Sequence, residues 1–166
     1  GQRRVGRPER PTLSFTGSLD YAPNIESATR LVREIAPVVW AEEPSARILI
    51  AGRNPVDEVL ALASDRVEVL ANVPSMSEVY AASDIAVFAD VSGLGIRNSV
   101  SEALAAGTPV VATPIAAREQ PKHELLTVVP EAEPIGRRTI DLLRAVRAVP
   151  WSQQRVGASA PMRSWE

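Results

Sequence analysis
The chain has 166 residues, 45% apolar and 23% charged, with a net charge of −2. That composition is one globular domain with enough apolar material for a proper core, and it excludes a disordered chain and an electrostatic nucleic-acid binder. With no cysteine and a single histidine, His123, it also excludes disulfides, thiolate metal sites, cysteine nucleophiles and a His-rich metal centre.

The opening run "GQRRVGRPER" is the one basic stretch, and residues 1–11 read as a solvated arm. It holds no apolar signal core, and no later run approaches the ~18–20 apolar residues of a membrane span. A cytoplasmic location is expected, with peripheral attachment of a longer parent chain to a membrane left open. "TLSFTG" is a first strand. From Asn24 the apolar residues Ala28, Leu31, Val32, Ile35 and Val38 recur at helical spacing, with Asn24 as the expected N-cap and Pro44 as the stop. "ARILIAG" is a second strand, "PVDEVLALAS" a short helix and "RVEVLA" a third strand. "SMSEVYAAS" is a helix capped by Ser75, and "IAVFAD" a fourth strand. Asn98 to Ala106 is a helix closed by Gly107, followed by strands "PVVAT" and "LLTVV". Ile140 to Val149 is expected as the last helix.

Strands alternating with helices predict parallel pairing through right-handed crossovers. The expected fold is therefore α/β, a Rossmann-like doubly wound parallel sheet of about six strands flanked by helices. It spans residues 12–149, with 150–166 as a tail. In such sheets ligands sit beyond the carboxyl ends of the strands. That places the candidate residues in the loops Gly17–Asn24, Gly52–Asn54, Asn72–Pro74, Asp90–Asn98 and Thr113–Ala117.

The loop holding Gly93 and Gly95 follows a strand and opens a helix, so it has the makings of an anion cradle, or of an ordinary tight turn. A dinucleotide fingerprint belongs after the first strand, where only Gly17 stands, and no Gly-x-x-x-x-Gly-Lys-Ser/Thr run occurs. A receiver-like phosphoacceptor at Asp90 would need partner acids for magnesium, and "FTGSLD" offers no acidic pair. A nucleotide- or phosphate-binding module without transferase activity remains the alternative class.

In this order, "LSFTGSLDYAPN", "ILIAGR", "VEVLANVPSMSEVYAASDIAVFAD" and "GLGIRNSVSEALAAGTPVVAT" closely resemble a known family. It is the C-terminal, donor-binding domain of retaining GT-B glycosyltransferases, of the bacterial family 4 or glycosyl transferases group 1 type. The resemblance runs from Thr12 to Thr113, with a weaker echo to "SWE" at 164–166. It implies one half of a GT-B fold and transfer of a sugar from a nucleoside diphosphate sugar to a glycan or lipid-linked acceptor. It also implies an N-terminal acceptor domain as the missing partner, so this chain alone should bind the nucleotide sugar without transferring. No metal or other cofactor is implied, and no nucleic-acid partner.

Residue by residue, Glu102 falls on the family's ribose-binding glutamate, where a carboxylate can accept two hydroxyl hydrogen bonds. The amides of Gly93, Leu94, Gly95 and Ile96 fall on the sugar or diphosphate. Arg97, Asn98 and Ser99 open the helix beside them. By the same resemblance Gly17 falls under the diphosphate with Ser18 next to it in the donor site, Val73 and Pro74 fall where the family holds the base, and Arg53 could reach either the base or a phosphate. The chain departs from the family at Leu94, where many members carry a first glutamate eight positions before the second. It departs again at Ser99, where a related branch carries lysine. Arg53 and Arg97 are the nearby cations. His123 reads as a surface residue, Trp40 as packing, and Trp151 and Trp165 as anchors of the tail. Asp20 and Tyr21 either face the sugar or make a turn.

Overall fold
The computed structural model describes residues 9–95 and 97–150. The N-terminal arm up to residue 8, Ile96, Trp151, Trp165 and the "SWE" terminus lie outside the described residues. Six parallel strands form one sheet in the order β3-β2-β1-β4-β5-β6. They are β1 Thr12–Thr16, β2 Arg47–Gly52, β3 Val67–Ala71, β4 Ile85–Phe88, β5 Val110–Ala112 and β6 Leu126–Val128. The helices are α1 Ala22–Arg30, α2 Ala36–Glu42, α3 Asp57–Leu60, α4 Met76–Ala81, α5 Asn98–Ala105 and α6 Ala132–Arg147. This is the doubly wound sheet that the strand–helix alternation predicts.

Side chains of β2 alternate between two hydrophobic clusters. Ile48 and Ile50 join the main core with Leu13, Phe15, Leu31, Ile35, Ile135 and Leu143, while Leu49 and Ala51 pack with Val79. A strand with apolar residues in both registers is buried on both faces, as a central parallel strand must be.

The first helical stretch runs on from α1 into α2 through a wide π turn, Leu31–Ile35, closed by the Ala36 amide donating to the Leu31 carbonyl. Pro37 is the physical cause. Its ring has no N–H and collides with the carbonyl four residues back in a regular helix, and the extra residue in the turn relieves this. Asn24 is not the N-cap: the helix begins earlier, after Tyr21 and with Pro23 in its first turn, and no side chain caps it. Ser75, by contrast, caps α4 by accepting from the Ser77 amide.

The last helix starts eight residues before the expected Ile140. Pro134 and Gly136 look like breakers in sequence. In the fold Pro134 occupies the first turn, where its missing N–H costs nothing. Gly136 is a contact point: a Cβ there would come within 2.7 Å of the Val38 side chain and 3.3 Å of the Ile35 carbonyl. At the far end of α6, Arg147 pairs with the fully buried Asp84 at 3.0 Å, and the Thr12 amide donates to the same carboxylate at 2.9 Å. The amino ends of β1 and β4 are thereby tied to the end of the last helix.

Candidate functional site
From β1 the strands wind outward to β2 and β3, and from β4 outward to β5 and β6. The winding reverses between β1 and β4, and the crevice at the carboxyl ends of those two strands is where such sheets take ligands. The Gly17 turn follows β1 and the glycine loop follows β4, so the topology brings these predicted segments together.

The turn after β1 is knitted to the loop after β2. The Gly17 amide donates to the Ala51 carbonyl at 3.1 Å and the Leu19 amide to the Arg53 carbonyl at 2.8 Å. Ser18 is half-buried, and exposed Arg53 brings Nη2 to 3.5 Å from the Ser18 hydroxyl. Exposed Asp20 accepts from Asn54 at 3.4 Å, a turn contact. What crowds Gly17 is a neighbour within the chain: a Cβ there would lie 2.7 Å from Asn24 Nδ2.

In the glycine loop, Gly93 has φ 122° and Gly95 φ 82°, backbone that side chains other than hydrogen rarely tolerate. Leu94 is 92% exposed. The loop leads into α5, where Asn98 is exposed and Ser99 half-buried in the first turn. Arg97 does not face outward. Its guanidinium meets Asp90 Oδ2 at 2.6–2.7 Å through Nη2 and Nε, and Nη2 also donates to Asn24 Oδ1 at 2.6 Å. It lies 5.4 Å from both the Phe15 and Phe88 ring centres. The side chains of Arg97 and Asp90 are only 12% and 5% exposed. Arg97's charge is therefore neutralised inside the fold, and Asp90 is closed off from the role of an accessible phosphoacceptor.

Glu102 is exposed on α5, while Val100, Ala103 and Leu104 of the same helix are buried. Beneath the first turn lies Tyr80 of α4. Its hydroxyl shares a 2.7 Å hydrogen bond with Thr16 and donates to the Ser99 carbonyl at 3.2 Å. Burial pushes the Tyr80 hydroxyl up to about 12, and the nearby Glu102 charge pushes the same way. Val73 packs half-buried against the Leu49–Ala51–Val79 cluster, and Pro74 is exposed beside it.

Tyr80 is the residue that sequence reasoning missed as part of this site, and Asn24, placed in a candidate loop, was read as a helix cap rather than as a contact between the loops. The available signal was Asn24's polar side chain on the inward side of the first helix, where it is 5% exposed. His123 is exposed, as expected. Trp40 is half-buried against the core, with its indole N–H on the Ala46 carbonyl and Arg66 4.0 Å above the ring. A cleft of about 690 Å³ runs beside α1, lined by Ile25, Glu26, Thr29, Arg30, Glu58 and Val91. Ala22 and Val91 of the predicted loops border it, but none of the residues assigned to the donor does. Among the described residues no three His, Cys, Asp or Glu side chains gather to hold a metal ion, and no helix is long and apolar enough to cross a membrane.

Residues 10–145 match the family model described as glycosyl transferases group 1. No curated protein matches the chain. Among solved structures, WaaG, a glycosyltransferase involved in lipopolysaccharide biosynthesis, matches with a TM-score of 0.67 and 16% identity, over 94% of this chain and 46% of that one. A TarM variant from S. aureus, in complex with fondaparinux, alpha-GlcNAc-glycerol and UDP, matches with a TM-score of 0.69 and 15% identity, over 96% and 35%. Anabaena HepE in complex with UDP and glucose matches with a TM-score of 0.63 and 15% identity, over 90% and 44%. At these identities the likeness is one of fold. The chain spans less than half the length of each.

Proposed function
We propose, from the premise that this chain belongs to the glycosyl transferases group 1 family, that it is the donor-binding half of a retaining glycosyltransferase. The substrate is a nucleoside diphosphate sugar, and the acceptor is a glycan or lipid-linked sugar. The observation that carries this reading is the pairing of the Gly17 turn and the Gly93–Gly95 loop at the reversal point between β1 and β4. Two small-residue loops there let a diphosphate approach backbone amides, with the N-terminus of α5 behind them.

In this reading Glu102 accepts the two ribose hydroxyls, Val73 and Pro74 flank the base, and Ser18 and Arg53 face the diphosphate. Arg53 stands exposed beside Ser18 and supplies the positive charge that favours a leaving diphosphate. The second domain, which carries the acceptor, lies outside this chain, so the chain alone binds nucleotide without moving the sugar. The buried Asp90–Arg97 pair speaks against the receiver-like alternative. The presence of UDP in complexes of two structural neighbours makes UDP the first probe. Titration of UDP, GDP, ADP and CMP into the chain, followed by calorimetry, tests the reading. One nucleoside diphosphate is expected to bind with a clear preference, and no binding by any of the four overturns it.

A further inference from the structure
We propose that Asn24, Asp90 and Arg97 form a clasp that sets the spacing between the Gly17 turn and the Gly93–Gly95 loop, and that Arg97 is a positioning residue for the nucleotide rather than the diphosphate's cation. The inference rests on the donor-site reading above and deepens it. The clasp is a continuous relay across the reversal point. Asn24 Nδ2 donates to the Ser18 carbonyl in the first loop at 2.9 Å, and Asn24 Oδ1 accepts from Arg97 at the end of the second. Arg97 in turn grips Asp90, the residue two beyond β4. The Asp90 carbonyl is itself held by the Thr113 hydroxyl after β5 at 2.7 Å. Three neighbouring strands, β1, β4 and β5, thus have their carboxyl ends fastened together by side chains.

Two features say that Arg97 stays in place when ligand binds. Swinging it outward would strand the Asp90 carboxylate, which is 5% exposed and whose Oδ1 already has no hydrogen-bond partner among the described residues. A buried carboxylate deprived of its charge partner is strongly disfavoured. The guanidinium also has a fixed seat, since its planar fork satisfies Asp90 and Asn24 together beside two aromatic rings. Asn24 holds the other end just as firmly, because its amide fills the space a side chain at position 17 would need. The exposed cation beside the Gly17 turn is then Arg53, not Arg97.

A double-mutant cycle in the 166-residue chain separates the two roles, using whichever of UDP, GDP and ADP binds the wild type. With a clasp, Asp90→Asn and Arg97→Gln each weaken binding on the order of tenfold, and the double variant is no worse than the poorer single, because both break one unit. If Arg97 were the diphosphate's cation, Asp90→Asn would free its charge and tighten binding, and Arg97→Gln would cost affinity on either background. Either of those results overturns the proposal. Asp90→Asn is nearly isosteric and keeps the fold testable should Arg97→Gln unfold the chain. Glycine-selective 15N spectra without nucleotide give a second reading, and the chain has only nine glycines to resolve. Gly17, Gly93 and Gly95 are expected to shift in both variants while Gly107 and Gly136 stay fixed. Unmoved Gly17, Gly93 and Gly95 signals overturn the clasp. Should the wild type bind no nucleotide, the donor-site reading fails, and the glycine spectra still decide the clasp on their own.

Discussion

Glu102 stands on the exposed side of α5, away from the buried Val100, Ala103 and Leu104, so removing its carboxylate leaves the core untouched. Glu102→Ala is expected to weaken nucleoside diphosphate binding by roughly 1.5–3 kcal/mol, the range for a hydrogen bond to a charged group, with the thermal midpoint nearly unchanged. Equal affinities by calorimetry would remove Glu102 from the site. Tyr80 makes a different kind of prediction. Burial pushes its hydroxyl up to about 12 in the fold, from the ordinary tyrosine value of about 10. Below that lower value both states keep the proton and the group adds no pH dependence. Above it the unfolded chain loses the proton while the fold retains it, so stability falls as pH rises. The loss specific to Tyr80 should reach about 2 kcal/mol by about pH 11.5. It is read as the difference between wild type and Tyr80→Phe in urea midpoints between about pH 9 and that value. A parallel decline in both proteins would mean that Tyr80 ionises as freely in the fold as outside it. Gly52 carries the sharpest steric demand, since a Cβ there would land on the Gly17 carbonyl oxygen. Gly52→Ala is expected to cost about 2–4 kcal/mol and to distort the β1 turn. Arg97 was legible in sequence as a cation near the loop, but not as a neutralised one, because its partners are a residue seven positions away and another seventy-three away.

The elements read from sequence best where one signal acts alone. The six strands are short apolar runs bounded by turns, and the sheet buries the four central ones on both faces while β3 and β6 lie partly exposed at its edges, so run length and composition sufficed. The helices misjudged are those where a local signal yields to a tertiary one. The α6 start was missed because Pro134 and Gly136 are read locally as breakers, whereas Gly136 is small so that the helix can lie against Val38 and Ile35. Gly136→Leu is expected to force α6 off the π segment and α2, destabilising by about 2–4 kcal/mol in chemical denaturation. A stability loss of a few tenths would mean that the helices part without cost. The N-cap assignment failed for a related reason. Asn24 is the right chemistry for a cap, but Pro23 already opens the helix, and the asparagine turns inward instead to meet Ser18 and Arg97.

At the scale of the molecule, the two ends of the sheet are fastened by buried ion pairs of the same kind. Arg147 with Asp84 closes the amino ends of the strands, and Arg97 with Asp90 the carboxyl ends. Only the second lies at the end of the sheet where doubly wound folds take ligands, which is the end that the strand order selects from sequence. Which side chains close it depended on three-dimensional neighbours and stayed hidden. In the proposed donor site the diphosphate is held by amides and Arg53 without a divalent ion. EDTA is therefore expected to leave nucleotide affinity unchanged, and a requirement for added magnesium in calorimetry would make Asp20 the first residue to substitute. Mixing the chain with a separately produced acceptor half from a fuller relative is expected to restore transfer, measured as release of nucleoside diphosphate. Absence of release with a half that is active in its own parent would favour a binding module.

The contact between Gly17 and Asn24 also constrains how such sequences can diverge. A larger residue at 17 is tolerated only after position 24 has shrunk, because Asn24 Nδ2 fills that space. Position 24 in turn can shrink only if the Arg97 guanidinium finds another acceptor or is itself replaced together with Asp90. Change at these four sites is therefore ordered, with each step conditional on the one before. Among descendants of this chain, a larger residue 17 should be found only beside a smaller residue 24, and a smaller residue 24 only beside a changed 97 and 90 or a new acceptor for Arg97, while the exposed side chain of Leu94 between them drifts freely.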